Sequence, residues 1–177
     1  MILDRLFRAE KPPKAAGKAL YAAVVDRARR TVLYEDFGAP DTIEGRFELY
    51  TLHVVLLLDR LRGQGQQAAE TAQALFDAYV TALDDALREM GVGDLLVGKK
   101  MRKLGEAFYG RVKSYEAAFE ALPQDAALEA LIGRTVYAGA DAGLAPRLAG
   151  YVQAERSGLA AGPLAPLLKG QVTWATP

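Results

Sequence analysis

A chain of 177 residues with 51% apolar and 25% charged residues is long enough for one domain that buries roughly 70% of its unfolded surface, and short for two. Its 22 basic and 22 acidic residues cancel, so no overall field draws it to nucleic acid or anionic lipid, and a charge-driven partner must be met by a local patch. The absence of cysteine and the presence of a single histidine, His53, exclude disulfides, thiol catalysis and cysteine-bearing zinc sites, and leave any Ser-His-Asp arrangement only one imidazole to use.

Residues 1–7 carry Asp4 and Arg5 and are followed by no apolar run of signal length, so they do not read as an export signal. Ile2, Leu3, Leu6 and Phe7 fall at helical spacing, which predicts a short helix docked on the domain, with a weak surface anchor as the alternative. The Lys11-Pro12-Pro13-Lys14 run then reads as a break, so that residues 1–14 form a short segment with a proline linker and 15–177 the domain. The longest apolar run, residues 52–58, is far below the ~20 residues that span a bilayer. The expected location is therefore cytoplasmic, at most peripheral on the inner membrane.

From Ala15 onward the apolar spacing is helical, with no sustained two-residue alternation, which predicts an all-α domain of five to seven helices. A first helix is expected over 15–34, with Leu20, Tyr21, Val24, Val25, Ala28 and Val32 on one stripe. Residues 36–40, Asp-Phe-Gly-Ala-Pro, break it. Asp41 or Thr42 caps a second helix, with Glu44 placed for a capping box, and Gly63-Gln64-Gly65 ends that helix. A third covers 67–90, with Ala72, Leu75, Phe76, Tyr79, Leu83 and Met90 inward. A fourth covers 94–122 with a kink near Gly98, a fifth capped by Asp125 ends near Gly139, and shorter helices follow over 145–156 and 163–169.

The second helix, over 41–62, is apolar on two sides: Ile43, Phe47, Tyr50, Val54, Leu57, Leu58 and Leu61 form one stripe, and Leu49, Leu52 and Leu56 lie nearly opposite. Such a helix belongs at the centre of the fold. Arg46, His53 and Arg60 are seven apart, which places them on one line within roughly 40° of each other. That line suits an anion or cofactor, with His53 as a haem ligand or proton acceptor; the stronger reading is that the arginines pair with carboxylates such as Asp26, Asp36 or Asp41 and the histidine is a hydrogen-bonded core residue. On the fourth helix Met101, Leu104, Phe108, Val112, Tyr115 and Phe119 face one way, and Lys99, Lys100, Arg102, Lys103, Arg111 and Lys113 the other. This basic face is either simply solvated or a contact for an acidic protein, ribosomal RNA or membrane headgroups.

Gly93 to Lys99 matches the spacing of a phosphate-binding loop, but Lys100 stands where a Ser or Thr would bind magnesium and no buried strand precedes it. No Glu-x-x-His pair exists for a carboxylate-bridged metal site. The sequence thus offers no catalytic constellation and implies no cofactor and no DNA partner.

Tyr21, residues 24–29, residues 34–42, Phe47, Leu52-His53 and Asp59-Arg60-Leu61 together resemble the ubiquinol-cytochrome c chaperone family, with Pro40-Asp41-Thr42, Phe47 and Leu52-His53 the most specific elements in order. The resemblance continues through Met90-Gly91, Met101 and residues 108–111 to Tyr115-Glu116. It covers residues 18–122 and leaves 123–177 as a variable helical part. Residues 44–47, Glu-Gly-Arg-Phe, depart from the mitochondrial members, in which an aromatic precedes the Phe. Without a long presequence the chain looks like a bacterial member. The resemblance implies a non-catalytic chaperone of cytochrome bc1 assembly that binds newly made cytochrome b. On that reading Phe37, Pro40, Asp41, Thr42, Phe47, His53 and Arg60 are the candidate client contacts, and the basic fourth-helix face aids recruitment to the ribosome or membrane. The competing expectation is a haem- or lipid-binding carrier built on Arg46, His53 and Arg60.

Overall fold

The computed structural model describes residues 12–138 and 142–175; the helix expected over residues 1–7 lies outside them. Within the described residues the chain is all-helical: α1 (Pro12–Ala28), α2 (Thr31–Glu35), α3 (Ile43–Leu61), α4 (Gln66–Glu89), α5 (Asp94–Glu120), α6 (Ala126–Thr135), a 3-10 turn (Ala142–Leu144), α7 (Ala145–Ala161) and α8 (Leu164–Leu167).

The sequence expects a break at Pro12-Pro13, yet α1 begins there. Proline is tolerated in the first helical turn because its missing N–H has no partner to lose. The single helix expected over 15–34 is instead two. Arg30 adopts an extended conformation, φ −62° and ψ 131°, and the chain turns so that Leu33 enters the core. The Tyr34 hydroxyl donates to the Ala28 carbonyl at 2.8 Å, occupying an acceptor that the end of α1 leaves open.

Helix α3 packs on α1, α4, α5 and α7, which explains its two apolar sides: residues 51–57 are all buried, and Leu49, Leu52 and Leu56 are as enclosed as Val54 and Leu57. Ile43 leaves the expected core stripe and is 65% exposed, since it precedes the point where neighbouring helices close over α3. Thr42 is the N-cap, its hydroxyl accepting from the Gly45 N–H at 3.0 Å. Glu44 therefore sits at the second helical position, one short of the capping-box register.

The most extensive helix pairing is α1 on α4. Gly17 makes it possible: a Cβ at that position would lie 2.4 Å from the Ala74 carbonyl carbon, so only glycine lets the two backbones approach. Between α3 and α4, Thr51 and Tyr79 share a buried hydroxyl–hydroxyl bond of 2.8 Å.

Helix α5 runs unbroken past Gly98. Asp125 precedes α6 without capping it: its backbone is already helical, φ −77° and ψ −19°, and its Oδ1 accepts from the Gln153 side chain at 2.9 Å. Helix α6 ends at Thr135, short of Gly139. The final segment, residues 171–175, returns across α7 to reach the core around His53.

Candidate functional site

His53 lies fully inside the protein. Its Nδ1 is 2.7 Å from the Leu49 carbonyl, an acceptor only, so the proton sits on Nδ1. Nε2, 2.8 Å from the Tyr151 hydroxyl, therefore accepts from it. The same hydroxyl accepts from Arg27 Nε at 2.9 Å. Arg27 also donates to Glu155 and, at 2.6 Å, to the Ala175 carbonyl, while the other Glu155 oxygen accepts from the Ala175 N–H at 2.8 Å. Arg27 and Glu155 are 4% and 0% exposed. The network ties α1, α3, α7 and the final segment together, and the Trp174 ring stands edge-on to the imidazole at 5.5 Å between centroids.

Burial pushes the His53 pKa down to about 4; the hydrogen bond to Leu49 opposes this shift, and the nearby Arg27 charge adds to it. Both nitrogens of the neutral ring are engaged, and ligating a haem iron through Nε2 would give up the Tyr151 bond. Burial likewise raises the Tyr151 hydroxyl, keeping it a donor.

Arg46, His53 and Arg60 do share one side of α3, but they do not form one anion site. Arg46 is exposed and pairs with Asp41 at 2.6 Å, and that pairing holds the Asp41 carboxyl below its usual range. Arg60 uses carbonyls instead of a carboxylate, donating to Leu159 at 2.7 Å and Gly162 at 3.0 Å, where it satisfies acceptors left open at the end of α7.

The loop before α3 is tightly placed. Phe37 is buried against Tyr151 at 5.4 Å between centroids, its carbonyl accepts from the Tyr137 hydroxyl at 2.6 Å, and the Arg147 guanidinium covers its ring at 5.2 Å. Gly45 has no space for a side chain, as a Cβ would stand 2.1 Å from the Pro40 carbonyl oxygen. This contact fixes Pro40, Asp41 and Thr42 at the mouth of α3, beside half-buried Phe47 and exposed Ile43. A depression of about 480 Å³ next to them is lined by Arg29, Thr31, Tyr34, Glu35, Asp41 and Arg46. Four of the candidate contact residues thus share one accessible end of α3. Phe37 and His53 lie behind it in the core, and Arg60 stands two helical turns beyond His53.

On α5, Lys99, Lys100, Arg102, Lys103 and Lys113 are exposed. Arg111 departs from this face: it turns inward and donates to both oxygens of buried Glu48, at 2.8 and 2.7 Å, a bidentate pair that a buried carboxylate requires. Met90, expected inward on α4, is 51% exposed at the turn into α5.

Two features escaped the sequence reading. The Arg27–Glu155 pair joins residues 128 apart; its only trace is a charge inside each apolar stripe, Arg27 beyond Leu20 and Val24, and Glu155 between Tyr151 and Leu159. A concavity of about 710 Å³ runs between α1 and α4 and is lined by Tyr21, Ala74, Ala78 and Ala82 with Glu70, Asp77 and Asp85 among its polar rim. Alanines every four residues on α4 are its signal.

No described residues form a cluster of three or more histidines or carboxylates able to hold a metal ion, and no described helix is long and apolar enough to cross a membrane. Among the described residues the fold is a helical scaffold with a buried polar network joining α1, α3 and α7, and with exposed residues at the mouth of α3 and along α5. Residues 35–174 match the ubiquinol-cytochrome C chaperone family, and the chain belongs to it. It is 34% identical to the Cbp3 homolog from Brucella abortus, whose crystal structure superposes with a TM-score of 0.85 over 99% of this chain and 97% of that one. It is 23% identical over 103 residues to ubiquinol-cytochrome-c reductase complex assembly factor 1 of Xenopus laevis, covering 58% of this chain and 52% of the frog protein. The corresponding Drosophila melanogaster factor is 31% identical over 70 residues, 40% of this chain and 27% of the fly protein. The aligned regions thus span about half of the frog protein and about a quarter of the fly one.

Proposed function

We propose that this protein is a non-catalytic chaperone that binds unassembled cytochrome b and supports assembly of the cytochrome bc1 complex. Family membership supports the assembly role. The observation that carries the client surface is the convergence of Pro40, Asp41, Thr42 and Phe47 with exposed Ile43 at the mouth of α3. An apolar pair at i and i+4, Ile43 and Phe47, beside the Arg46–Asp41 pair and the polar depression, suits a client segment that is apolar on one side and polar on the other. His53 and Phe37 act on this surface from behind, by fixing the loop and the helix that present it. Release follows when a later subunit or haem changes the client's surface and lowers its affinity for the chaperone. The exposed cations of α5 recruit the chaperone to the site of client synthesis and insertion.

The test is co-purification of cytochrome b with the tagged full-length chain from cells stalled before bc1 assembly and from cells with the mature complex. Capture in the first case alone supports the reading, and Ile43→Asp with Phe47→Ser should abolish it. Equal capture from both, or undiminished capture by the double variant, would reject the client surface.

A further inference from the structure

Helix α4 ends in a hydrogen-bonded turn. The Gly91 N–H donates to the Arg88 carbonyl at 2.9 Å and the Val92 N–H to the Leu87 carbonyl at 3.0 Å, with Gly91 at φ +77°. This is the Schellman arrangement, in which the chain's own N–H groups satisfy the Leu87 and Arg88 carbonyls that the end of α4 leaves open. Gly93 then starts α5, and Val97, 2% exposed, anchors the new helix to the body. The corner is a built element, yet it holds Leu95 at 98%, Leu96 at 56% and Met90 at 51% exposure. A single exposed leucine is ordinary; three large apolar side chains within seven residues at one corner form a patch.

On α5 the exposed charges beside that patch are mostly positive, while Glu89 and Asp94, both exposed, flank it at the turn itself. At about 100° per residue, Leu95, Leu96, Lys99, Lys100, Arg102 and Lys103 occupy one sector of α5 roughly 160° wide, with Val97 and Phe108 opposite. No described carboxylate pairs with any of these four cations. Asp94, the one acidic residue in 94–103, is bound by Arg88, which also holds Asp84. The next carboxylate in the sector, Glu106, lies beyond Lys103. Aliphatic side chains at the tip, with a collar of cations one to two turns above them, match an anionic bilayer, in which acyl chains receive leucines while headgroups receive lysines. RNA would be met by stacking aromatics and arginines, and this corner offers leucines and mostly lysines.

We infer that the α4–α5 corner is a membrane-docking tip for anionic lipid, with Leu95, Leu96 and Met90 entering the interface and Lys99, Lys100, Arg102 and Lys103 binding phosphate headgroups. The inference rests on the recruitment role proposed for α5 and names its partner. It places the chaperone on the surface where a membrane-inserted client emerges, with the docking element separate from the α3 client surface.

The test is sedimentation of the full chain with phosphatidylcholine vesicles, with and without phosphatidylglycerol. Binding should require phosphatidylglycerol, weaken with added salt, fall about fivefold for each of Lys99→Gln and Lys103→Gln, and fall more than tenfold for Leu95→Asp with Leu96→Asp. The exposed positions should leave the circular dichroism melt unchanged, and Leu95→Ala gives a milder variant with a smaller loss in the same direction. Absence of binding by the parent chain, or equal binding by the leucine variant, would overturn the inference. So would vesicle binding that is indifferent to the leucines alongside lysine-dependent binding to a ribosomal RNA hairpin. Capture of cytochrome b from detergent extract, measured on the same variants, separates the two proposals: loss of vesicle binding with capture retained leaves the client surface standing.

Discussion

The interior around His53 and the corner between α4 and α5 both concentrate charge, and they treat it oppositely. Inside, Arg27 and Glu155 are withdrawn from water and spend their hydrogen bonds on each other, on Tyr151 and on Ala175. A buried ion left without its partner would be several kcal/mol too costly, so geometry there is fixed. At the corner, four cations keep their hydration and no described carboxylate holds them, while leucines that would gain from burial stay exposed. Charge that is fully satisfied within the chain organises the fold. Charge and apolar area left unsatisfied on a well-bonded turn are available to something outside it.

The comparison breaks most readily at Glu155. Glu155→Ala leaves the Arg27 guanidinium buried and unpaired, with an expected loss of about 3–5 kcal/mol in chemical denaturation. Replacing both members with apolar residues, Arg27→Met with Glu155→Leu, should recover most of that loss. If the single variant is as stable as the parent, the network does not hold the final segment.

Acid acts on the same interior. Because His53 is held at about 4 in the fold against about 6.5 unfolded, the unfolded chain binds the extra proton between those values. The stabilising contribution of the neutral ring is therefore complete above pH 6.5 and is lost as pH falls toward 4. The expected loss is about 2–3 kcal/mol on going from pH 7 to pH 4.5. The measurement is the difference in denaturation free energy between the two pH values, for the parent and for His53→Gln. An equally steep dependence in the variant would assign the acid sensitivity to other groups.

A smaller effect belongs to the mouth of α3. Thr42→Ala removes the cap of the Gly45 N–H and should cost about 1 kcal/mol, read as a lower melting temperature. Client capture should fall with it if Thr42 positions the contact surface. Smallest of all, Leu95→Asp with Leu96→Asp should change stability by less than about 0.5 kcal/mol. A larger loss would mean that the leucines pack within the fold, and the contrast between the two regions would fail.

Periodicity made much of this protein legible. The two-sided apolar pattern of residues 43–61 is that of the central helix, the opposed faces of residues 94–120 are those of α5, and the helix cap is Thr42, one of the two residues expected. These features are encoded locally, in residues three to seven apart. The break at Arg29-Arg30 was not legible, because 15–34 keeps helical spacing and only the demand for Leu33 in the core turns the chain. The basic face lost Arg111 for a similar reason: its partner Glu48 is 63 residues away. Pro40, Asp41, Thr42 and Phe47 are candidate contacts on the sequence together with Phe37, His53 and Arg60, and the sequence could not separate the accessible four from Phe37 and His53, which lie inside.

By itself, the sequence determined the fold class, the central place of α3 and, through the absence of cysteine, that thiol catalysis, disulfides and cysteine-bearing zinc sites are excluded. Hydrophobic spacing and residue inventory are properties of neighbouring residues and of composition, and they need no tertiary knowledge. Only the tertiary structure decided which charges are held and which remain available. Arg27 meets Glu155 and Arg111 meets Glu48 across the fold, while Lys99, Lys100, Arg102 and Lys103 meet no described carboxylate. A charge becomes structural when packing removes its water and supplies a partner, and that partner is chosen by the path of the whole chain.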